Sequence, residues 1–334
     1  MEPFSYTKAT FENIPCAICG SVDFSTLATR SKNNLICRTV MCKNCGLIFI
    51  SPRMTRESYD DYYKYFYRKD RDTIKGTTTE EDVAENFKHA KKFGVALAET
   101  QGQFLGDGLT IDVGSSTGGV LAGLKEKKPT IEMLGVEPSV PESEYAKKMG
   151  VPTITALFEN FVQDHDYKGK AANIFCVQSL NHLLEPAQFI EWSHETLRDG
   201  GHLFLAVKNF KHQVRRAGSI EGGIQIDHVY MFTPQSLKLL VESRGFQVVS
   251  LDVDEGKSKE QIARQREMGL NKHHIRLVAR KISRQPKQDL SLKVFASVSR
   301  FSWWKERLAF SKLGIKIVYI LRYSRFSPLK MVTR

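Results

Sequence analysis

Two short motifs, Cys16-Ala17-Ile18-Cys19-Gly20 and Cys42-Lys43-Asn44-Cys45-Gly46, repeat the pattern Cys-x2-Cys-Gly with 22 residues between the pairs. Thiolates at this spacing sit on tight knuckles, and two knuckles can close a tetrahedron around one ion. Zinc suits four sulfurs best; an iron centre or a redox dithiol is the other chemistry open to the same set. Four protein sulfurs leave no open position on zinc, so the expected role of Cys16, Cys19, Cys42 and Cys45 is structural. The glycine after each second cysteine permits the turn. Cys37 and Cys176 stand alone and read as ordinary buried thiols.

A second constellation is Ile111-Asp112-Val113-Gly114-Ser115-Ser116-Thr117-Gly118-Gly119: an apolar run, a turn of small residues and a helix start. A Walker phosphate loop needs a lysine after its last glycine, and none follows Gly118 or Gly119. A dinucleotide turn, Gly-x-Gly-x-x-Gly, matches at Gly114 and Gly119 but has Ser116 in the middle place, where glycine lets the backbone approach a pyrophosphate. Asp112 would repel phosphates and attract a cation. S-adenosylmethionine has the opposite needs from a dinucleotide: an ammonium for Asp112, and a carboxylate for the backbone N–H groups of Gly114, Ser115, Ser116, Thr117 and Gly118. Glu137 closes the next apolar run, 23 residues after Gly114, where an acid hydrogen-bonds ribose hydroxyls in adenosyl cofactors and in NAD alike. Gln178, at the end of the fourth run, completes the expected cofactor set. The plain alternative is a ligand-free turn; turn, acid and spacing together speak against it.

Methyl transfer needs an in-line nucleophile and a base to unmask it. His182 follows the fourth strand, in Ser179-Leu180-Asn181-His182. His228 precedes a helix, in Gln225-Ile226-Asp227-His228. Histidine suits a base near neutral pH, and Asp227 could orient or charge its neighbour. Packing or hydrogen bonding is the other role open to a loop histidine.

These groups need a scaffold. Strands are expected at Leu109–Val113, Ile131–Val136, Ile154–Phe158, Ile174–Gln178, His202–Val207, Gly245–Leu251 and His274–Arg280, and helices at 118–127, 141–149, 186–198 and 234–244. Proline opens several helices and Gly150, Gly200 and Gly245 mark helix ends. The alternation describes an α/β, doubly wound sheet. The last two strands have only Lys257–Asn271 between them, which favours antiparallel pairing. Three parts follow: residues 1–75 with the cysteines and a tyrosine-rich segment, residues 80–282 with the sheet, and a basic tail at 283–334.

Five segments, LTIDVGSSTGGVL, LGVEPS, IFCVQSLNHLLEP, LRDGGHLFLAVKN and TPQSLKLLVESRGF, resemble in this order the class I S-adenosylmethionine-dependent methyltransferases, over roughly residues 90–282. The resemblance implies a seven-stranded Rossmann-like sheet and the methyl donor. That family usually has glycine where Ser116 stands and often Glu-His where Asn181-His182 stand. The cysteine module, followed by Cys45-Gly46-Leu47-Ile48-Phe49-Ile50-Ser51-Pro52-Arg53 and a tyrosine-rich helix, resembles a narrower group: bacterial methyltransferases of sugar and cell-surface glycan pathways, including C-methyltransferases of nucleotide-linked deoxysugars. There a tyrosine of the amino-terminal module reaches the active site, which makes Tyr62, Tyr63, Tyr65 and Tyr67 candidates. The sugar C-methyltransferases have a Glu-His pair preceded by a tyrosine; here Asp227-His228 resembles the pair and Gln225 takes the tyrosine's place. The shorter acid and the missing tyrosine weaken carbon methylation, and a sugar hydroxyl is at least as good an acceptor.

The net charge of +12 is concentrated at one end: from Lys281 onward there are thirteen lysines and arginines against two acids. That tail, with Trp303, Trp304 and an apolar stripe, fits three roles: peripheral contact with an anionic membrane, a helix packed on the core, or nucleic-acid binding. An RNA methyltransferase using cysteine module and tail is therefore the competing function, although the cysteine module is not notably basic. The loop after the fourth strand also lacks the Asn/Asp-Pro-Pro-Tyr/Phe motif of amino-methylating enzymes. A non-catalytic cofactor-binding protein is the third. No secretory leader or spanning run is legible, which gives the expectation of a cytoplasmic protein, peripheral on the inner membrane face if the tail binds lipid.

Overall fold

The computed structural model describes residues 9–62, 78–270, 273–282 and Phe310. Five strands come first: β1 (Phe11–Glu12), β2 (Phe24–Arg30), β3 (Ile36–Cys42), β4 (Ile48–Ile50) and β5 (Arg53–Met54). Seven of the next eight build the central sheet: β6 (Gly108–Val113), β7 (Ile131–Val136), β8 (Thr153–Ile154), β9 (Ala171–Val177), β10 (Leu197–Lys208), β12 (Phe246–Asp252) and β13 (His274–Lys281). The remaining one, β11 (Tyr230–Met231), goes elsewhere.

The central sheet runs β12-β13-β10-β9-β6-β7-β8. Strands β6 to β10 are mutually parallel, and β13 lies antiparallel between β10 and β12, with Leu205 opposite Leu277. This is the seven-stranded α/β sheet expected, and its last two strands pair antiparallel as expected. Helices cover both faces, so a strand such as β9 is apolar but for Asn173 and buried along nearly its whole length. The strand expected over Ile154–Phe158 ends at Ile154, and Phe158 instead opens a helix, Phe158–Asp164. The reason is aromatic packing: Phe158 and Phe161, one helical turn apart, both set their edges against Trp192, at 5.3 and 5.8 Å. The helix Lys259–Met268, opened by a Ser258–Gln261 capping box, fills the connection between β12 and β13.

Strand β11 pairs with β4, not with the central sheet, and makes a four-stranded sheet β11-β4-β3-β2. Tyr230 lies opposite Phe49 and Met231 opposite Ile48, and the Ile50 N–H donates to the Val229 carbonyl at 2.9 Å. The ring of Phe49 stacks on Tyr230 at 6.1 Å. The cysteine-bearing strands thus share one apolar core with the central sheet, in which Cys42, Phe49, Tyr230, Phe232 and Ile174 are buried together. Arg56–Asp61 is helical and Tyr62 caps it; Tyr63, Tyr65 and Tyr67 lie outside the described residues, as does the tail apart from Phe310. Phe310 is buried beside Phe210, ring centres 5.5 Å apart. No helix of the described residues is long and apolar enough to cross a membrane.

The longest described helix, Thr79–Gln101, was not legible as an element in the periodicity. Its start is a capping box, in which the Glu81 N–H donates to the Thr78 hydroxyl and the Thr78 N–H to the Glu81 carboxylate. It lies on the helix Gly119–Lys127 so closely that a Cβ on Gly123 would stand 2.2 Å from the Lys91 carbonyl oxygen and 2.7 Å from the Val95 nitrogen. Those are backbone atoms and cannot swing away. Gly123→Ala is therefore expected to destabilise: overpacking of about 1–3 kcal/mol outweighs the gain in helix propensity of about 1 kcal/mol. A thermal melt showing Tm unchanged or raised would contradict this close approach.

Candidate active site

Across β6 the strand order reverses, with β7 on one side and β9 on the other, and ligands of open α/β sheets bind in the crevice this creates. The loop after β6 occupies it. Gly114 and Gly118 have φ of 74° and 75°, the left-handed region that glycine adopts freely. At Gly114 a Cβ would also meet the Ser179 hydroxyl at 2.2 Å. Ser116 has φ of 48°, costly for a residue with a Cβ. What holds it there is Glu137, whose carboxylate accepts the Ser116 N–H at 2.8 Å and the Ser139 N–H at 2.9 Å.

A cavity of about 690 Å³ opens over this loop. Asp112, Gly114, Ser115, Ser116, Glu137 and Gln178 all line it; Thr117 and Gly118 do not, being folded beneath it as part of the turn. Asp112 is buried, its Oδ1 has no hydrogen-bond partner, and burial, reinforced by the nearby Glu137, pushes its carboxyl up to about 8. The Ser115 and Thr117 hydroxyls are buried and unpartnered too. A buried carboxylate with an unpartnered oxygen fits the ammonium of S-adenosylmethionine and fits a pyrophosphate badly. The amides expected to take the donor's carboxylate are spent inside the fold: those of Gly114 and Ser115 donate to the Val136 carbonyl, that of Ser116 to Glu137 and that of Gly118 to the Ser115 carbonyl.

Two loops far apart in sequence meet at the same cavity. The loop after β9 brings His182, and the segment before β11 brings Asp227 and His228. The imidazoles are perpendicular, ring centres 4.6 Å apart. His182 Nδ1 donates to the Asp227 carbonyl at 3.0 Å, which fixes the tautomer and leaves Nε2 with its lone pair. Burial lowers the pKa of His228 well below the usual range, helped by His182, Lys208 and Lys32. Burial also lowers that of His182, and Asp227 opposes the shift. Both rings are neutral at pH 7, the form a base requires. Ligand atoms of His182, Asp227 and His228 lie within 4.8 Å of one another, so the three are also close enough to share an ion.

Tyr62, a candidate from the resemblance, lines the cavity, and other residues reach it without a legible signal. Tyr59 and Tyr62 come from the first helix and its cap. Asn86, His89 and Phe93 share one face of Thr79–Gln101 at spacings of three and four residues. Only that spacing could have marked them. Asn181 is buried with its side-chain carbonyl unpartnered.

The four cysteines converge away from the cavity. The Sγ atoms of Cys16 and Cys45 are 3.4 Å apart, those of Cys19 and Cys42 3.5 Å, and all four lie within 4.8 Å of one another. Zinc–sulfur bonds of about 2.3 Å make tetrahedron edges of about 3.8 Å, so a small expansion admits the ion. The two knuckles match: Gly20 N–H donates to the Cys16 carbonyl and Gly46 N–H to that of Cys42, both glycines at positive φ. Hydrogen bonds from the other three thiols hold Cys42 far below the ordinary thiol range, while Cys16 and Cys45 are pushed up. A bound cation would favour all four thiolates. One zinc per chain is the expected result of elemental analysis, and Cys42→Ser should lower both zinc content and Tm; a variant that kept full zinc would remove Cys42 from the ligand set.

Asp112 supplies a further test. A ligand ammonium needs the carboxylate, whereas the free protein holds much of the carboxyl protonated at pH 7. Binding of S-adenosylmethionine should therefore release up to one proton at pH 7, and affinity should rise as pH is raised towards 8. Asp112→Asn should weaken binding roughly 10- to 100-fold, the worth of a hydrogen bond to a charged group. Calorimetry in buffers of different ionisation enthalpy measures both; no proton release and unchanged affinity would exclude Asp112 from the donor site.

Residues 89–251 match the model of a family described as a methyltransferase domain. No curated protein matches the chain. Among solved structures, the chain is similar to a chain of the complex between the Haloferax volcanii Trm112 methyltransferase activator and a putative methyltransferase, with 15% identity, 62% of this chain and 98% of that one covered, and a TM-score of 0.45. It is similar to the plantazolicin methyltransferase BpumL in complex with SAH, with 11% identity, 67% and 94% covered, and a TM-score of 0.47. A possible histamine N-methyltransferase from Thermotoga maritima shows 16% identity, 60% and 94% covered, and a TM-score of 0.42. The match of residues 89–251 to the methyltransferase-domain model supports an S-adenosylmethionine-dependent methyltransferase.

Proposed function

We propose that the enzyme methylates a hydroxyl of a sugar or glycan-type acceptor, with His228 as the base and His182 as its partner. The observation that carries this reading is the pair of perpendicular, neutral imidazoles in the same cavity as Asp112. S-adenosylmethionine supplies an electrophilic methyl on a positively charged sulfur. Asp112 would hold the donor's ammonium and Glu137 its ribose. His228 takes the acceptor's hydroxyl proton as the oxygen attacks, and Asp227 beside it balances the imidazolium that forms. Polar side chains on that wall, Asn181, Gln225 and Lys208, suit a ligand rich in hydroxyls. The sugar acceptor also has the support of the cysteine module and its Ile-Ser-Pro-Arg continuation.

His228→Ala should lower kcat by about 10²–10⁴, the usual contribution of a positioned base, while S-adenosylmethionine affinity stays within a few-fold. His182→Ala should fall in the same direction. The depressed pKa values give a sign for the pH dependence: activity needs the neutral ring, so kcat/KM should hold below pH 6.5 and fall only in more acid solution. Labelled methyl transfer to pools of sugar nucleotide, lipid-linked glycan and RNA identifies the acceptor class. Full turnover by the double variant His182→Ala, His228→Ala would sink the base assignment, and transfer to RNA alone would sink the glycan reading.

A further inference from the structure

Arg53 follows the Ile-Ser-Pro stretch of the cysteine module, and its side chain is only 6% exposed. Its guanidinium reaches out of that module to both loops that carry the histidines. Nη1 donates to the Leu184 carbonyl and, at 3.4 Å, to the Tyr230 hydroxyl. Nη2 donates to the Glu185 carboxylate at 2.7 Å, and Nε to the Glu12 carboxylate at 2.9 Å. The Tyr230 hydroxyl closes the figure by donating to the same Leu184 carbonyl at 3.2 Å. Leu184 lies two residues after His182, and Tyr230 two residues after His228.

Neither histidine sits in a strand. The loop of His182 leaves β9, and His228 lies between a short helix and β11. Their mutual geometry therefore depends on what ties the two loops together, and Arg53 with Tyr230 is such a tie. A buried guanidinium is suited to it: its planar fork serves several acceptors at fixed angles, which a lysine ammonium on a flexible stem does not. Two carboxylates offset the cost of burying its charge.

We infer that Arg53 is the positioning residue that sets the His182–His228 pair for acceptor activation, so that the cysteine module is part of the catalytic unit and not an appended fold. This rests on the reading of the pair as the acid–base centre. Asp112 and Glu137 lie on β6 and at the end of β7, beyond the reach of this tie, so donor binding should be insensitive to it.

The test compares full-length Arg53→Lys, Arg53→Met and Tyr230→Phe with the parent and with His228→Ala. The expected result is donor affinity within about two-fold of the parent and kcat reduced by about 10- to 100-fold in Arg53→Met, less in Arg53→Lys and least in Tyr230→Phe. The acid limb of the pH–rate profile should move up towards pH 6.5 as the loosened rings become hydrated. Diethyl pyrocarbonate should modify His182 and His228 faster, read by mass spectrometry without reference to turnover. If Arg53→Met does not fold, Arg53→Lys and Tyr230→Phe carry the same three readouts. A folded Arg53→Met with parental kcat, pH profile and modification rate overturns the inference, as does a loss of kcat matched by equal loss of donor affinity with an unmoved pH profile. If His228→Ala keeps full turnover, the base reading fails instead; if His228→Ala is inactive and the Arg53 variants are unaffected, only the role of Arg53 fails.

Discussion

The pairing of Tyr230–Met231 with Ile48–Ile50 is the constraint on which the site depends. Buried backbone N–H and C=O groups must find partners, and β4 finds its second set about 180 residues away in the chain. Once that ladder forms, Val229 is held against Ile50 and the preceding residue, His228, is carried to the cavity wall. The buried core follows the same logic. Phe49 and Tyr230 stack across the join, so the cysteine strands and the central sheet exclude water from one another and not only from themselves.

The site is assembled from groups that are individually unfavourable. Asp112 is buried without a partner, Ser116 holds a left-handed backbone, and two imidazoles are kept neutral by burial. Such costs persist only where surrounding structure over-determines them. The over-determination is visible in each case. Strand β6 fixes Asp112 between β7 and β9, Glu137 ties down the Ser116 amide, and the His182 ring is anchored on the Asp227 carbonyl. A donor bearing an ammonium would relieve the cost at Asp112, which links the enzyme's chemistry to a feature of its fold.

Much of the sheet could be read directly, because parallel strands buried on both faces are continuous apolar runs with sharp edges. The misplaced end of Ile154–Phe158 and the unread helix Thr79–Gln101 share a cause. In the first, aromatic residues at helical spacing mimic a strand's apolar run; in the second, the helix carries a mixed polar face and is set by its cap and by glycine contacts with another helix. The strand–turn–helix carrying Asp112 and the strand ending before Glu137 were equally readable, since they sit at fixed offsets within two consecutive strand–loop units. Thr117 and Gly118 belong to the same turn yet support it from beneath, a distinction that depends on which way each peptide faces.

The sequence by itself determined the elements whose cause is local: the knuckles of the four cysteines, the strand–turn–helix over Asp112 and the order of the strands. In each, spacing along the chain is the physical variable, because a turn or a knuckle closes over a few residues. The tertiary structure alone decided that His182 and His228 face each other, that Tyr59 enters the cavity, and that Arg53 joins both histidine loops to the cysteine module. Those meetings are made across more than a hundred residues by a shared sheet and a shared core, and no periodicity in a chain records which distant backbone will complete a strand's hydrogen bonds.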